Sequence, residues 1–503
     1  MKNSICLLGC SLLTLSQVAL FGGSASWNVD SSGKWSNEKN WQQISGLNKI
    51  YPDGIKDVAT FPPFIIKAPR VITVDGSYSV ATLVFNSDTP YTLSSGQLNI
   101  YNGIQVTGKA EINSLLNLQN TINIMANDNF AISGNISGNF GIIKQGAGNL
   151  ILSGSNNFTG STTIQSGVLQ AGKEDAFAPN SAVVFANTSG VILDLNHFPN
   201  KISSLSGGGS AGGNVLLGSA NLTVGDDANT TYAGSIFGKG GLIKVGTGAL
   251  SLTGTNHTYS GTTLINGGVL KASGANVLSP NSLIVLGDSE GAILDLCGYE
   301  NQIPNFMGGG ISGGNICLGS GLLIFGDNTD TAFHGSISGS GGITKNGSGT
   351  FSLTRASTYT GPTTINQGVF NLTGIISSPL TINQGATLMG SGLIIGNVMN
   401  YGLCRVGNGL GNLTVVGNYT QGKASTIEIR LDKRGTDCLR VTDTFTIEDN
   451  VTLNIIAPEK YSPGDTFEII TAGQNIVGMF STINFPDQYS VTTSQTSVIV
   501  MMK

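Results

Sequence analysis

Charge is scarce in this sequence. Asp, Glu, Lys and Arg together make up 11% of 503 residues, with 24 basic and 29 acidic side chains and a net charge of −5. No basic cluster is available for a nucleic-acid backbone, and no polybasic tract for a lipid surface. Cysteine is nearly absent beyond the N-terminus. Cys297, Cys317, Cys404 and Cys438 are too few for a disulfide scaffold, and none has metal-site spacing. Aromatic residues are 7%, and the only tryptophans are Trp27, Trp35 and Trp41. Past the N-terminus no stretch reaches the roughly 18 apolar residues of a membrane-spanning helix. Glu, Lys, Arg and Gln, the good helix formers, are thin throughout.

What fills the chain instead is glycine, 72 residues of it, with Ser, Thr, Asn, Val, Ile and Leu. Gly and Asn tolerate the positive φ of tight turns, and Val, Ile and Thr favour pleated strands. Hydrophobic residues are 40% of the total, enough to bury a core and too many for a disordered polar tract.

The segment 1–26 reads as a cleavable leader. Lys2 supplies a short positive region, Ile5 to Leu20 a mostly apolar one, and Ser24-Ala25-Ser26 small residues for cleavage, so a mature chain is expected to begin near Trp27. Leu7-Leu8-Gly9-Cys10 resembles a lipobox, but too few apolar residues precede Cys10. Export to the cell surface or medium follows from this reading.

Internal repetition decides the architecture. GIIKQGAGNLILSG from Gly141, GLIKVGTGALSLTG from Gly241 and GITKNGSGTFSLT from Gly342 are three copies of one segment. Their matched positions are Gly141, Lys144, Gly146 and Gly148; Gly241, Lys244, Gly246 and Gly248; and Gly342, Lys345, Gly347 and Gly349. The three lysines are 100 and 101 residues apart. Each copy is followed by a second shared segment, from Phe158, Tyr259 and Tyr359. Each is preceded by a third, from Phe130, Thr231 and Ala332. VILDL at Val191 to Leu195 answers AILDL at Ala292 to Leu296.

Short apolar strands recur every ten or so residues between Gly, Asn, Ser and Asp turns. Coils of roughly 20 residues, stacked at about 4.8 Å, fit an all-β fold, a single-stranded parallel, right-handed β-helix or β-solenoid. On the order of 20 coils would make a rod roughly 100 Å long. The expected divisions are the leader over 1–26, an N-terminal cap and first coils over 27–129, the repeat region over 130–384, and a C-terminal β-helix region over 385–503.

These repeated segments resemble the autotransporter-associated β-strand repeat. The run SWNVDSSGKWSNEKNWQ from Ser26 resembles the start of autotransporter passengers. GATLMGSGLIIGNVMNYGLCRVGNGLGNLTVVGNYTQ from Gly385 and GDTFEIIT from Gly464 resemble their C-terminal ends. The resemblance implies a secreted or outer-surface, Gram-negative passenger with adhesion, virulence or display roles. It implies an extracellular protein or glycan as partner, with association with the outer membrane or with other copies. Such passengers end in a membrane β-barrel. Lys503 follows Pro486 closely, so no barrel of its own is expected. Release, retention by another protein, or a truncated gene stay open.

Chemistry is weighed against architecture at each candidate. β-Helices also host polysaccharide lyases and hydrolases, which need one clustered set of carboxylates. Asp194 and Asp295 instead recur at matched positions, as do Asp226-Asp227 and Asp327-Asn328, so turn roles are expected. Lys144, Lys244 and Lys345 are expected to be solvated on an outward face. His197, His257 and His334, isolated in sequence with no serine motif nearby, are expected at surface or turn positions. Trp27, Trp35 and Trp41 are expected to cap the first coil, with a sugar-stacking platform as the alternative. Phe158, Tyr259 and Tyr359 are expected to pack. Cys297 and Cys317 lie about one coil apart and replace Asn196 and Leu216 of the earlier copy. They are the candidate disulfide pair, with free thiols as the alternative. Cys404 and Cys438 are a second candidate pair. No catalytic, cofactor or metal-ligating residue is assigned.

Overall fold

The computed structural model describes residues 22–407, 409, 411–432, 435–457, 461–485 and 488–503. Lys2, Cys6, Cys10 and most of the expected leader lie outside the described residues. Among the described residues the regular elements are one 3₁₀ turn at Glu38–Asn40 and otherwise strands, most of them short. Nearly every strand pairs in parallel with the strand one winding on. The fold is a parallel β-solenoid.

Alternation makes the strands. In Asn149–Leu152, Leu150 and Leu152 are buried while Asn149 and Ile151 stay partly exposed. Gly or Asn then turns the chain before the next strand, and Gly146, Gly246 and Gly347 all take positive φ there. Inward Val, Ile, Leu and Phe therefore meet their counterparts in the next winding, and the apolar column grows by one layer per turn.

The chain divides into two compact units, Met1–Gly160 and Ser161–Lys503. In the first, one face stacks Arg70–Thr73, Tyr91–Ser94, Ala110–Ile112, Phe130–Ile132 and Asn149–Leu152. Its inward column runs Ile72, Leu93, Ile112, Ile132 and Leu152, one residue from each winding. The open start of this unit is filled by aromatic rings. Trp27 and Trp35 are fully buried, the Trp35 and Trp41 centroids are 5.0 Å apart, and Phe61 stacks on Phe85 at 4.5 Å. Strand Ser24–Trp27 pairs in parallel with Gly54–Phe61 and antiparallel with Trp41–Ser45, so its edge is covered.

Ala25 is fully buried within that strand. A leader cut near Trp27 would remove it. Any leader that is removed must therefore end upstream of Ser24, and N-terminal sequencing of the mature chain should return a start at or before Ser24. A start at Trp27 would overturn that placement.

In the second unit three parallel faces alternate along each winding. One inward column climbs from Leu242 to Thr263, then to Ile284 and Phe306, at nearly constant spacing. Further on the windings tighten, with Leu388 beside Cys404, and then widen, with Ile427 beside Leu453. Thr466–Ala472 then takes Ser497–Met502 antiparallel, and Tyr489–Thr493 pairs antiparallel on the other side of Ser497–Met502. This hairpin covers one edge of the last winding.

The long repeat is not a whole number of such windings. Lys244 lies in a 15-stranded sheet and Lys345 in a separate 9-stranded one, so the same motif steps round to a different face.

Candidate functional site

The repeated lysines point inward. Lys144, Lys244 and Lys345 are 0%, 2% and 1% exposed, which corrects the expectation of a solvated outward face. In Leu242–Lys244 the burial alternates, and Lys244 shares the inward side with Leu242. The strand period places the lysine inside, against the pull of its charge. Each ammonium is re-solvated by main-chain carbonyls. Lys144 Nζ donates to the oxygens of Gln145 at 2.9 Å and Gly146 at 2.8 Å. Lys244 Nζ donates to Val245 at 2.6 Å, Gly246 at 3.4 Å and Gly267 at 3.2 Å. Lys345 Nζ donates to Asn346 at 2.8 Å, Gly347 at 2.9 Å and Gln367 at 3.2 Å.

In every copy two carbonyls belong to the turn that ends the lysine's own strand. At Lys244 and Lys345 a third belongs to the next winding. There the side chain is a staple between windings, satisfying acceptors that the turn would otherwise bury unpaired. Burial pulls the pKa of Lys144 down to about 8, which leaves it charged at neutral pH. Burial also lowers Lys244 and Lys345, with Asp226 opposing at the former and Asp327 and Asp330 at the latter.

The staple lies against the second shared segment, whose recurring glycine the sequence alone leaves without a stated role. A Cβ on Gly268 would collide with the Gly248 oxygen and lie 2.6 Å from the Gly246 oxygen and 2.8 Å from Lys244 Nζ. Gly268 also sits at φ +62. Gly268 is thus required first by the backbone oxygens beside it and by its positive φ, with Lys244 Nζ packed against the same space, whereas at Gly368 the nearest atoms all belong to the backbone of Gly347, Ser348 and Gly349.

A second repeated contact has no signature in the sequence. The Ile136 amide donates to Asn156 Oδ1 at 2.8 Å, that of Ile236 to His257 Nδ1 at 3.1 Å, and that of Ile337 to Ser357 Oγ at 3.1 Å. All three acceptors are buried. His257, expected at a surface or turn position, lies between strands but is only 2% exposed, and its Nε2 has no hydrogen-bond partner among the described residues. Burial lowers its pKa to about 4. Three unlike residues doing one job hide the role from any reading of identities.

Other candidates resolve into architecture. Tyr259 and Tyr359 are buried and their hydroxyls lie 2.6 and 2.7 Å from the Oγ1 of Thr263 and Thr363. Phe158 is buried as well. Asp194 accepts from the Asn196 amide and Asp295 from the Cys297 amide, each at 2.8 Å, supporting left-handed turn residues at Asn196 and Cys297. Asp226 and Asp327 accept from the Ala228 and Thr329 amides, also at 2.8 Å. His197 and His334 are exposed. His197 Nδ1 lies 3.0 Å from Ser219 Oγ, a contact the sequence does not show, but the same nitrogen accepts the Ser219 amide. That makes the pair a turn clasp.

Cys297, Cys317, Cys404 and Cys438 are free thiols. Cys317 stacks on Asp295, and Cys297 falls two positions further on, in the turn. The winding is slightly longer here than the coil the sequence suggests, and that difference separates the pair. Cys404 and Cys438 are buried in different faces, and burial pushes the Cys404 thiol up to about 12. On native protein spanning 24–503, maleimide should label exposed Cys297 first, and Cys404 and Cys438 only after unfolding. An unlabelled Cys297 in a non-reduced sample would indicate a disulfide instead.

A family model described as passenger-associated-transport-repeat matches residues 142–171, 242–272 and 343–372. Each match starts just before one of the three buried lysines and ends past the G-V-L or G-V-F segment. Over 254 residues the chain is 37% identical to an adhesin autotransporter, BmaC, of Brucella suis biovar 1 (strain 1330), covering 45% of this chain and 7% of that protein. It is also 28% identical over 159 residues to an extracellular serine protease of Serratia marcescens, covering 29% of this chain and 15% of that one. The chain spans only a small part of either relative.

Proposed function

We propose that this chain, a parallel β-solenoid with three passenger-associated transport repeats, is a passenger-like protein of the cell surface or extracellular space. It acts by adhesion or display and not by catalysis. The observation that carries the reading is the use to which the repeated polar residues are put. The lysines cap turns and staple windings and the aspartates hold turns, which leaves the outward faces of the strands to make contacts. The 37% identity to part of an adhesin supports the same direction. The similarity to part of a serine protease is lower, and the one His–Ser side-chain contact among the described residues, at His197 and Ser219, is occupied by a turn amide.

In this reading an N-terminal leader that ends before Ser24 directs export, and 24–129, 130–384 and 385–503 are a cap region, the repeat region and a terminal region. The partner is an extracellular macromolecule. Protease shaving of intact cells, with fractionation of medium, outer membrane and periplasm, tests it. The protein should appear in the medium or be removed by shaving, and the purified chain should coat a host-cell or bacterial surface. Confinement to the cytosol would overturn export. Hydrolysis of polysaccharide or peptide by the purified chain would overturn the non-catalytic role.

A further inference from the structure

One outward face of the second unit departs from the repeat pattern in a way that packing does not ask for. The tripeptide Thr-x-Asn occurs in three consecutive windings, at Thr344–Asn346, Thr364–Asn366 and Thr381–Asn383. Thr344 pairs in register with Thr364, and Thr364 with Thr381. The three hydroxyls therefore repeat at the inter-strand spacing of about 4.8 Å. All three threonines are partly exposed, and none of their hydroxyls is hydrogen-bonded within the described residues.

The asparagines form a parallel column beside them. Asn366 Nδ2 donates to Asn346 Oδ1 at 2.8 Å, and Asn383 Nδ2 donates to Asn366 Oδ1 at 2.6 Å. This chain of amides fixes the three side chains in one orientation before any ligand arrives, which removes part of the entropy of ordering them on binding. The column of threonines is bounded by Ile324 at one end and by the exposed Met399 at the other.

The strip carries more hydroxyls than its counterpart in the preceding repeat. In the preceding repeat the positions of Thr344 and Thr364 are Ile243 and Leu264, also outward and also in register. Strand formation is met by either set, so the hydroxyls are surplus to the fold. The Asn346 position is likewise Val245 in that repeat. No charged side chain lies within the two columns. A charged polymer finds no counter-charge there, and an apolar helix finds no groove. Regularly spaced hydroxyls and carboxamides with apolar ends match a polymer whose units alternate hydroxyl groups with C–H faces.

We infer that the Thr344–Thr364–Thr381 and Asn346–Asn366–Asn383 columns form a docking strip for a neutral glycan chain. Each winding addresses roughly one sugar unit through hydroxyl–hydroxyl and carboxamide–hydroxyl hydrogen bonds. The inference deepens the adhesion reading and rests on it.

The test is affinity electrophoresis of the whole exported chain through gels containing a neutral polysaccharide (dextran, mannan, laminarin or galactan). Gels with heparin or alginate serve for comparison. The wild type should be retarded by at least one neutral polymer, with little change on adding salt, and not by the acidic ones. The isosteric Thr344→Val/Thr364→Val/Thr381→Val variant keeps the strand propensity and shape and should lose at least tenfold in apparent affinity. Thr223→Val, on the same unit's outer surface, should behave as wild type. Should the triple variant not fold, Asn366→Ala, which breaks the amide chain at its centre, should weaken retardation at least threefold. No retardation of the wild type by any neutral polymer, or equal retardation of wild type and folded variants, overturns the strip. Cell coating that survives in the triple variant would also overturn it, while leaving adhesion standing. Absence of coating by the wild type would remove adhesion itself.

Discussion

Replacing Lys244 by methionine should destabilise the second unit by about 3 kcal/mol, although it exchanges a buried charge for an apolar side chain of similar length. Burying an ion is unfavourable, and a well-packed hydrophobe is often tolerated in its place. The outcome turns on what the ion leaves behind. The oxygens of Val245, Gly246 and Gly267 converge on Nζ. With methionine there they stay buried with a donor gone, at about 1–3 kcal/mol for each group that finds no other partner. Some are re-satisfied by water at the turn, which keeps the sum near the lower end. Exposed lysines give the contrast. Lys239→Met, outside any such cage, should change stability by less than about 0.5 kcal/mol.

Because each winding touches only its neighbours, the Lys244 effect should be local. Amide hydrogen exchange should speed up in Leu242–Lys244, Thr263–Ile265 and Val269–Ala272, with little change at Thr452–Ile456. Gly268→Ala should destabilise as well, through its positive φ and its contact with Nζ. In the double variant with Lys244→Met the two effects should sum to less than their separate values, since the ammonium that the added methyl would crowd is already absent. Full additivity, or a neutral Lys244→Met, would mean that the carbonyl cage is incidental.

The second large effect is on pH. His257 is almost wholly buried, accepts the Ile236 amide through Nδ1, and has an unpartnered Nε2. Burial depresses its folded pKa to about 4, against 6.5 when unfolded. The unfolded chain therefore binds a proton at a higher pH than the folded one. The stability held by neutral His257 is fully present above pH 6.5, and falls as pH drops from 6.5 to about 4. Below that both states are protonated and no more is lost. The gap between the two values corresponds to about 3 kcal/mol.

His257→Asn copies the arrangement at Asn156, where a carboxamide accepts the matching amide of Ile136 without titrating. It should remove most of the acid-dependent loss. Denaturant midpoints for wild type and variant, at neutral pH and near the folded pKa, measure this as a difference. The comparison cancels the carboxylates whose pKa values hydrogen bonding lowers, such as Asp327. Identical pH slopes in the two proteins would show that His257 is not protonated on unfolding.

The fold is legible in the sequence because its evidence is additive. Each short strand of alternating apolar residues is weak by itself, but the same strands return at offsets of 100 and 101 residues, and a parallel solenoid accommodates such returns one after another. The candidate sites are less legible. Lys244 reads as a solvated side chain when its charge is weighed without the carbonyls that face it, and those lie in a turn and in the next winding. His257 reads as a surface or turn residue because it stands isolated in sequence, and its equivalents, Asn156 and Ser357, share no identity with it, only a lone pair aimed at an amide of the preceding winding. Cys297 and Cys317 read as stacked neighbours, whereas the winding sets Asp295 opposite Cys317.

The order of residues along the chain was enough to determine strand periodicity, turn chemistry, the repeats and hence the stacked parallel architecture. These depend on neighbours within a few positions and on self-similarity, both of which are written in one dimension. Only the tertiary structure decided the length of each winding, and with it which residues meet across windings. A small insertion or deletion in a turn leaves every local pattern intact, yet it shifts which oxygen faces an ammonium and which threonine stands beside the next. Those meetings across the stack place lysine inside, leave the cysteines apart, and align three hydroxyls in a row.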